Sequence, residues 1–87
     1  MRWEARVEIT VELNGVLCRL AGASSLPLNL RDDATVADAI AAVEARVPEA
    51  ADRLEATACA VGDALVARNT PLEAGDVLVL IPPVSGG

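Results

Sequence analysis

The spacing of apolar residues changes twice along this chain of 87 residues. Over residues 6–13, apolar and polar side chains alternate strictly, which predicts a β-strand with one buried and one solvated face. Over residues 36–47, the large apolar residues stand four, three and four positions apart, as in a helix that buries a single stripe. They are Val36, Ile40, Val43 and Val47. Over residues 57–61 the apolar residues again alternate with a period of two. This order predicts one sheet whose strands are separated in sequence by one main helix.

The segment before the helix contains two turn signals. Asn14-Gly15 fits a two-residue hairpin turn, but apolar residues follow it at helical spacing up to Gly22. We therefore expect a wider connection that contains a short helical turn. Alternation over residues 26–30 predicts the second strand, and Pro27 within it has no amide hydrogen, so one side of this strand should lack a ladder partner.

The main helix has signals at both ends. Thr35 and Asp38 have the spacing of a capping box, in which the carboxylate accepts hydrogen bonds from the first free amides. Pro48 lacks the amide hydrogen that a continuing helix needs, so the helix should end near Val47. Because proline is favourable at a first helical position, we expect a second helical turn from Pro48 to Leu54.

The C-terminal half predicts three more strands. Residues 57–61 alternate up to Gly62-Asp63, a two-residue turn of hairpin type, and Leu65-Val66 continues on the other side. After the turn-rich residues 68–76, the unbroken apolar run 77–81 is typical of a central strand. A chain of this size fits one compact domain. We therefore predict a single α+β domain over residues 1–87, with a mixed sheet of about five strands and one main helix on one face.

The charge balance argues against a nucleic-acid partner. The chain has thirteen acidic residues, seven arginines and no lysine, which gives a formal net charge of −6. Proteins that bind phosphate backbones need clustered cations. A basic protein surface suits this charge better, although acidity that only keeps a small domain in solution is an equally open interpretation.

The residue types that the chain lacks narrow its chemistry. Without His, Lys or Tyr it has no imidazole base, Schiff-base amine or phenol. Cys18 and Cys59 are too far apart for a CxxC pair, and two thiols without histidine cannot form a usual zinc site. We expect no self-contained active site and no metal site. Cys59 is interpreted as a core residue, and the role of Cys18 is left open.

No segment predicts export or membrane insertion. The N-terminus has no apolar core of a signal peptide, and no stretch reaches the roughly 18 apolar residues of a membrane helix. We therefore expect a cytoplasmic protein with reduced thiols and no membrane partner.

Folding does not explain the last residues of the chain. Pro82 and Pro83 stop the preceding strand and favour an extended spacer. Gly86 and Gly87 then end the chain without side chains, so this end is thin enough to enter a narrow channel. Residues 82–87 are predicted to form an extended C-terminal tail. A frayed end without function is the alternative, because chain ends are commonly poorly ordered.

With these features the sequence resembles the ubiquitin-like β-grasp sulfur carriers, and among them most closely the small subunits of molybdopterin synthase. The resemblance extends from about Ala5 to Gly87. It is carried by Leu20-Ala21-Gly22 after the first strand, by Gly75-Asp76 before the last strand, and by the ending Pro82-Pro83-Val84-Ser85-Gly86-Gly87. It implies a β-grasp, ubiquitin-like fold for the α+β domain.

The resemblance also implies covalent chemistry at Gly87. A ubiquitin-activating-type adenylyltransferase uses ATP to adenylate the Gly87 carboxylate, and a sulfur donor converts the adenylate to a thiocarboxylate. The carrier binds no cofactor and is non-catalytic by itself. In a heterotetramer with the large synthase subunit, the tail enters a channel of that subunit, and the sulfur passes to a pterin precursor to form the dithiolene of the molybdenum cofactor. The tail residues in that channel are Pro82, Pro83, Val84, Ser85 and Gly86.

Members of this family dock through exposed apolar side chains on the sheet near the tail. By register these positions fall on Leu65 and Ile81. Ordinary core packing is the alternative, because a strand that buries Leu78 and Leu80 leaves the orientation of its last residue open. This last strand is wholly aliphatic, whereas relatives often carry aromatic residues before the two prolines.

Three other functions stay open. A carrier for thiamine, cysteine or transfer-RNA thiolation shares the Gly-Gly end but usually not the double proline. A protein modifier would be joined through Gly87 to lysines of its targets. A ubiquitin-like interaction module with an inert tail is the third, and it predicts that shortening the tail leaves function intact. The sequence predicts neither the sulfur donor nor the oligomeric state of the free chain.

Overall fold

The computed structural model describes residues 6–83. Over these residues the chain forms five strands, β1 Arg6–Leu13, β2 Ser25–Arg31, β3 Ala58–Val61, β4 Ala64–Leu65 and β5 Val77–Ile81. The helices are α1 Val16–Ala21, α2 Val36–Arg46 and α3 Ala51–Glu55, and a 3₁₀ turn, Pro48–Ala50, leads into α3. The predicted short helical turn, capped main helix and second helical turn are thus confirmed.

The sheet is mixed, as expected for a β-grasp fold. Its strand order is β2-β1-β5-β3-β4. β1 and β5 run parallel, and the other neighbouring strands are antiparallel. The apolar run 77–81 is the central strand, as its composition indicates. β2 lies at an edge of the sheet, as Pro27 predicts. On the open side of an edge strand no neighbouring strand needs the amide hydrogen that proline lacks.

The core lies between α2 and one face of the sheet. Every residue of the predicted helical stripe is buried, and the inward-facing residues of the strands are buried or, as for Val7, Leu26 and Leu30, partly buried. These side chains form one cluster that includes Val36, Ile40, Val43 and Val47 from the helix region and Ile9, Val11, Leu28, Leu78 and Leu80 from the sheet. Because the inward side chains are aliphatic, shape and volume set the packing of this layer.

The start of α2 is tied to the loop that precedes β5. The Asp38 carboxylate accepts hydrogen bonds from the Thr35 amide at 2.9 Å and from its hydroxyl at 3.2 Å, which completes the predicted capping box. The amides of Val36 and Ala37 donate to backbone carbonyls of residues 70 and 68 at 2.9 and 2.8 Å. Helix and loop therefore satisfy one another's free backbone groups.

Arg68 performs a structural role that has no signature in the sequence. Its guanidinium donates hydrogen bonds to three backbone carbonyls, those of Leu54 at 2.9 Å, Glu55 at 3.2 Å and Thr57 at 2.9 Å. The last carbonyls of a helix have no partner within the helix, and a cation there also interacts favourably with the helix dipole. Arg68 therefore holds the end of α3 against the start of β3.

The two cysteines occupy different environments. Cys59 is buried in the core, as predicted, and burial raises the pKa of its thiol while the charge of Arg68 acts in the opposite direction. Cys18 is half-buried against the core, and both thiols are free. Among residues 6–83, no helix has the length and apolar composition needed to cross a membrane.

Candidate functional site

The Gly75-Asp76 turn fixes where β5 begins. Gly75 has φ +85°, a conformation that glycine adopts without steric cost, and its amide donates to the Glu8 carbonyl at 2.8 Å. The Asp76 carboxylate accepts from the Glu73 amide at 2.8 Å, and its backbone carbonyl accepts from Thr10 at 3.0 Å. These bonds set the parallel register of β1 and β5, and with it the point where the tail leaves the sheet.

The tail leaves beside the turn that follows β1. β5 ends at Ile81, after which Pro82 is half-buried and Pro83 is exposed. The side-chain amide of Asn14 donates to the Leu80 carbonyl at 3.2 Å, and a methyl group at Gly15 would lie 3.5 Å from Cγ of Pro82. The other predicted tail residues, Val84, Ser85, Gly86 and Gly87, lie outside the described residues, so the reactive carboxylate stays a prediction.

The two predicted docking residues lie on the face of the sheet that α2 does not cover. Leu65 is 75% exposed and Ile81 is 41% exposed. Leu65 lies opposite Ala60, which in turn lies opposite Val79, and directly opposed residues share a face. Ile81 is on that same face because it alternates with the fully buried Leu80. Neither docking residue is therefore part of the core.

These residues belong to a larger surface, which we call the apolar strip. It consists of Val77, Val79 and Ile81 of β5, Ala58 and Ala60 of β3, and Leu65 of β4, among which the small side chain of Ala60 is buried. On β1, Thr10 lies opposite Val77 and Glu12 lies opposite Val79, so the strip meets polar and acidic residues on that side. In the sequence, the period of two along a strand that buries Leu78 and Leu80 could have placed Val77 and Val79 on this face as well.

The strip provides contact surface and no reactive group. Its side chains are aliphatic throughout, and the described residues contain no cluster of His, Cys, Asp or Glu that could hold a metal ion. Aliphatic side chains next to acidic ones can bind a complementary protein surface, with an apolar centre and a charged rim. The site therefore combines an exposed apolar face with the root of the tail.

The sequence matches the model of the ThiS family over residues 11–87. No curated protein matches it significantly. Among solved structures, small archaeal modifier protein 1 of Haloferax volcanii aligns with a TM-score of 0.84 and 28% sequence identity, covering 92% of this chain and 99% of the other.

Two further structures have the same fold. A putative molybdopterin converting factor, subunit 1, from Pyrococcus furiosus aligns with a TM-score of 0.81 at 24% identity, covering 90% of this chain and 99% of the other. A chain in the complex of subunits 1 and 2 of the molybdopterin-converting factor from Helicobacter pylori aligns with a TM-score of 0.65 at 27% identity, covering 93% and 100%. With a family match over most of its length and this sheet topology, the chain belongs to the ThiS family and has the fold of the ubiquitin-like sulfur carriers.

Proposed function

We propose that this chain is the sulfur-carrying small subunit of a molybdopterin synthase. An ATP-dependent adenylyltransferase activates the Gly87 carboxylate, a sulfur donor converts it to a thiocarboxylate, and the large subunit transfers the sulfur to a pterin precursor in the cytoplasm. The observation that carries the proposal is the ending Pro82-Pro83-Val84-Ser85-Gly86-Gly87, which follows β5 directly at the edge of the apolar strip.

The chemistry of the chain supports a carrier that is not catalytic by itself. It has no His, Lys or Tyr, so it offers no imidazole, amine or phenol for acid–base chemistry, and in this function the partner proteins supply those groups. A carboxylate is a poor acyl donor until adenylation gives it a good leaving group, and that step needs ATP bound elsewhere. The carrier then needs only a recognition surface and a slender end.

The apolar strip is the surface proposed for docking to the large subunit. Ile81 directly precedes the tail, and Leu65 lies on the same face two strands away, so a partner that covers both side chains also reaches the root of the tail. The rim is acidic at Glu12 and the chain has a formal net charge of −6, which favours a partner with basic residues around an apolar patch. The Helicobacter pylori structure, named as a complex of subunits 1 and 2, supports a large-subunit partner, and we propose a heterotetramer.

A protein modifier is the second candidate. The Haloferax volcanii relative is named a modifier protein, and its TM-score of 0.84 exceeds the 0.65 of the Helicobacter pylori chain. In this function the activated Gly87 carboxyl would form an amide bond with a lysine of a target protein. A sulfur carrier for thiamine, cysteine or transfer-RNA thiolation uses the same activated end and differs only in the acceptor.

The identity of the acceptor separates these functions. The thiocarboxylated protein is mixed with the large synthase subunit and the pterin precursor, and sulfur in the pterin product is measured by mass spectrometry. We expect sulfur transfer, and none from a chain that lacks Gly86 and Gly87. A pterin without sulfur would contradict the proposal. Isopeptide bonds between Gly87 and lysines, formed with the activating enzyme and ATP, would instead identify a modifier.

A further inference from the structure

At one end of the sheet, the neighbouring inner strands β1 and β5 end side by side. Leu13 is the last residue of β1 and pairs with Leu80 in the parallel register. Beyond this pair the two chains diverge, one towards α1 and the other towards the tail. The Asn14 side chain bridges them, because its amide donates to the Leu80 carbonyl at 3.2 Å. The bridge reaches a fixed acceptor, since the side chain of Leu80 is fully buried.

Asn14 is itself held in place on the other side. Its backbone carbonyl accepts a hydrogen bond from the Leu17 amide at 3.1 Å, and the side chain of Leu17 is only 1% exposed. The preceding residue, Leu13, donates its amide to the Ser24 carbonyl at 2.8 Å. These bonds fix the backbone of Asn14, so only the torsions of its side chain are ordered when it binds the Leu80 carbonyl.

Pro82 adds a second contact where β1 and β5 end. The Leu80 carbonyl faces β1, and along an alternating strand the amide of residue 82 would face β1 as well. Proline has no amide hydrogen, so the ladder between β1 and β5 cannot continue there. Its ring lies over Gly15 instead, where an added methyl group would be 3.5 Å from Cγ of Pro82. Gly15 has φ +57°, a conformation that favours glycine.

We propose that Asn14, Gly15 and Pro82 form a tail latch that sets the direction in which the C-terminal tail leaves the sheet. The latch extends the proposed function, since direction matters only if the tail enters a partner. Asn14 is a positioning residue, because its contact is to the root of the tail and not to the reacting carboxyl group. A tail that already points into the channel loses less conformational freedom on entry, which strengthens binding.

The test asks whether the contribution of Asn14 to binding depends on the tail. Affinity for the large subunit is measured by calorimetry for Asn14→Asp, which keeps the shape of the side chain and removes the donor. Each variant is made in the full chain and in a chain without Val84–Gly87. The shortened chain keeps every buried core residue, since these lie between Ile9 and Leu80. Asn29→Asp, at an exposed position of the edge strand β2, is the matched control.

In the full chain, we expect Asn14→Asp to weaken binding about three- to tenfold, the range for one lost hydrogen bond. In the shortened chain the loss should fall below about twofold, because the partner no longer engages a tail. Asn14→Ala, which adds no charge, should behave like Asn14→Asp. Equal losses in both chains, no loss in the full chain, or an unaffected Asn14→Ala variant would overturn the latch.

A second measurement separates the latch from the proposed function. If the unaltered chain does not bind the large subunit, the proposed function fails, and the latch is then judged on the free protein. In a ¹⁵N-labelled sample, Asn14→Asp should shift the amide signals of residues 84–87, whereas Asn29→Asp should leave them in place. Unchanged signals in the Asn14→Asp variant would overturn the latch whatever the partner is.

Discussion

The two faces of β5 carry the same kind of side chain and meet different surroundings. Leu78 and Leu80 are fully buried under α2, whereas Val77 and Ile81 on the opposite face are 38% and 41% exposed. The pleat of the strand places alternate residues on opposite faces, so a continuous aliphatic sequence supplies both. The comparison shows that the aliphatic residues of this strand form the core on one face and an exposed strip on the other, and we propose that the exposed strip binds the large subunit.

The two faces contribute to different free energies, because one is covered during folding and the other is covered only by a partner. Burying a leucine side chain contributes roughly 1.5–3 kcal/mol, and Leu78 and Leu80 contribute this to folding itself. The exposed face contributes its remaining apolar area only when a partner covers it. Substitutions on the two faces should therefore change different measured quantities.

The largest expected effect is on the covered face. Leu80→Ala should lower the free energy of unfolding by about 2–5 kcal/mol, because it removes buried methyl groups and leaves a cavity. The measurement is urea denaturation followed by circular dichroism. The matched control, Ile81→Ala, should cost less than about 1.5 kcal/mol, since this side chain is 41% exposed. Equal losses for the two variants would remove the distinction between the faces.

A change on the uncovered face should affect binding and spare stability. Leu65→Asp places a charge in the apolar strip and should weaken binding to the large subunit by roughly tenfold or more, as at an interface hot spot. Because Leu65 is 75% exposed, the free energy of unfolding should change by less than about 0.5 kcal/mol. Ala64→Asp, at the neighbouring exposed position, should leave the affinity close to that of the unaltered chain. Wild-type affinity in Leu65→Asp would show that the strip is not the docking surface.

A smaller effect is expected where the covering helix begins. Asp38→Ala removes the acceptor of both hydrogen bonds from Thr35 and should lower the free energy of unfolding by about 0.5–2 kcal/mol, the range for helix caps. Affinity for the partner should not change, because the cap is not part of the apolar strip. Thermal unfolding gives the first quantity and calorimetry the second. A loss of affinity at constant stability would link this helix to the binding face.

The smallest effect concerns the pH dependence of stability. Burial raises the pKa of Cys59 in the native state, so the unfolded chain loses this proton at lower pH than the folded chain does. The contribution of this thiol to stability is therefore complete below the pKa it has in the unfolded chain and is lost as pH rises through its higher native pKa. Thermal unfolding of the wild type should show this decline at alkaline pH, and Cys59→Ala should show less of it. If stability declined equally steeply with pH in the wild type and in Cys59→Ala, the raised native pKa of Cys59 would be contradicted.

Much of the fold could be predicted because its signals are local. Strict alternation over residues 6–13, the Thr35 and Asp38 cap and the aliphatic run 77–81 each specify one element within a few residues. The orientation of Ile81 could not be predicted, because the last residue of a strand has no following partner in the pattern. The pairing of Ala58 with Ile81 shows that the regular strand continues to Ile81, so its alternation with the buried Leu80 holds there.

Contacts that join distant parts of the chain had no local signal. The Asn14 side chain reaches a carbonyl 66 residues away, and Arg68 reaches carbonyls 11 to 14 residues before it. A side chain that binds a backbone carbonyl places no requirement on the residue type of its partner, so the sequence carries no matching pair. These contacts position the tail and the end of α3, and the fold was needed to find them.

The measurement that most directly tests a carrier with its reactive group at Gly87 is the mass of the intact protein after activation. The chain is incubated with the adenylyltransferase, ATP and the sulfur donor, alongside a chain that lacks Gly86 and Gly87. We expect the full chain to gain the mass of one sulfur in exchange for one oxygen, located at Gly87 by fragmentation, and the shortened chain to remain unchanged. Sulfur found on Cys18, or equally on both chains, would contradict a terminal thiocarboxylate.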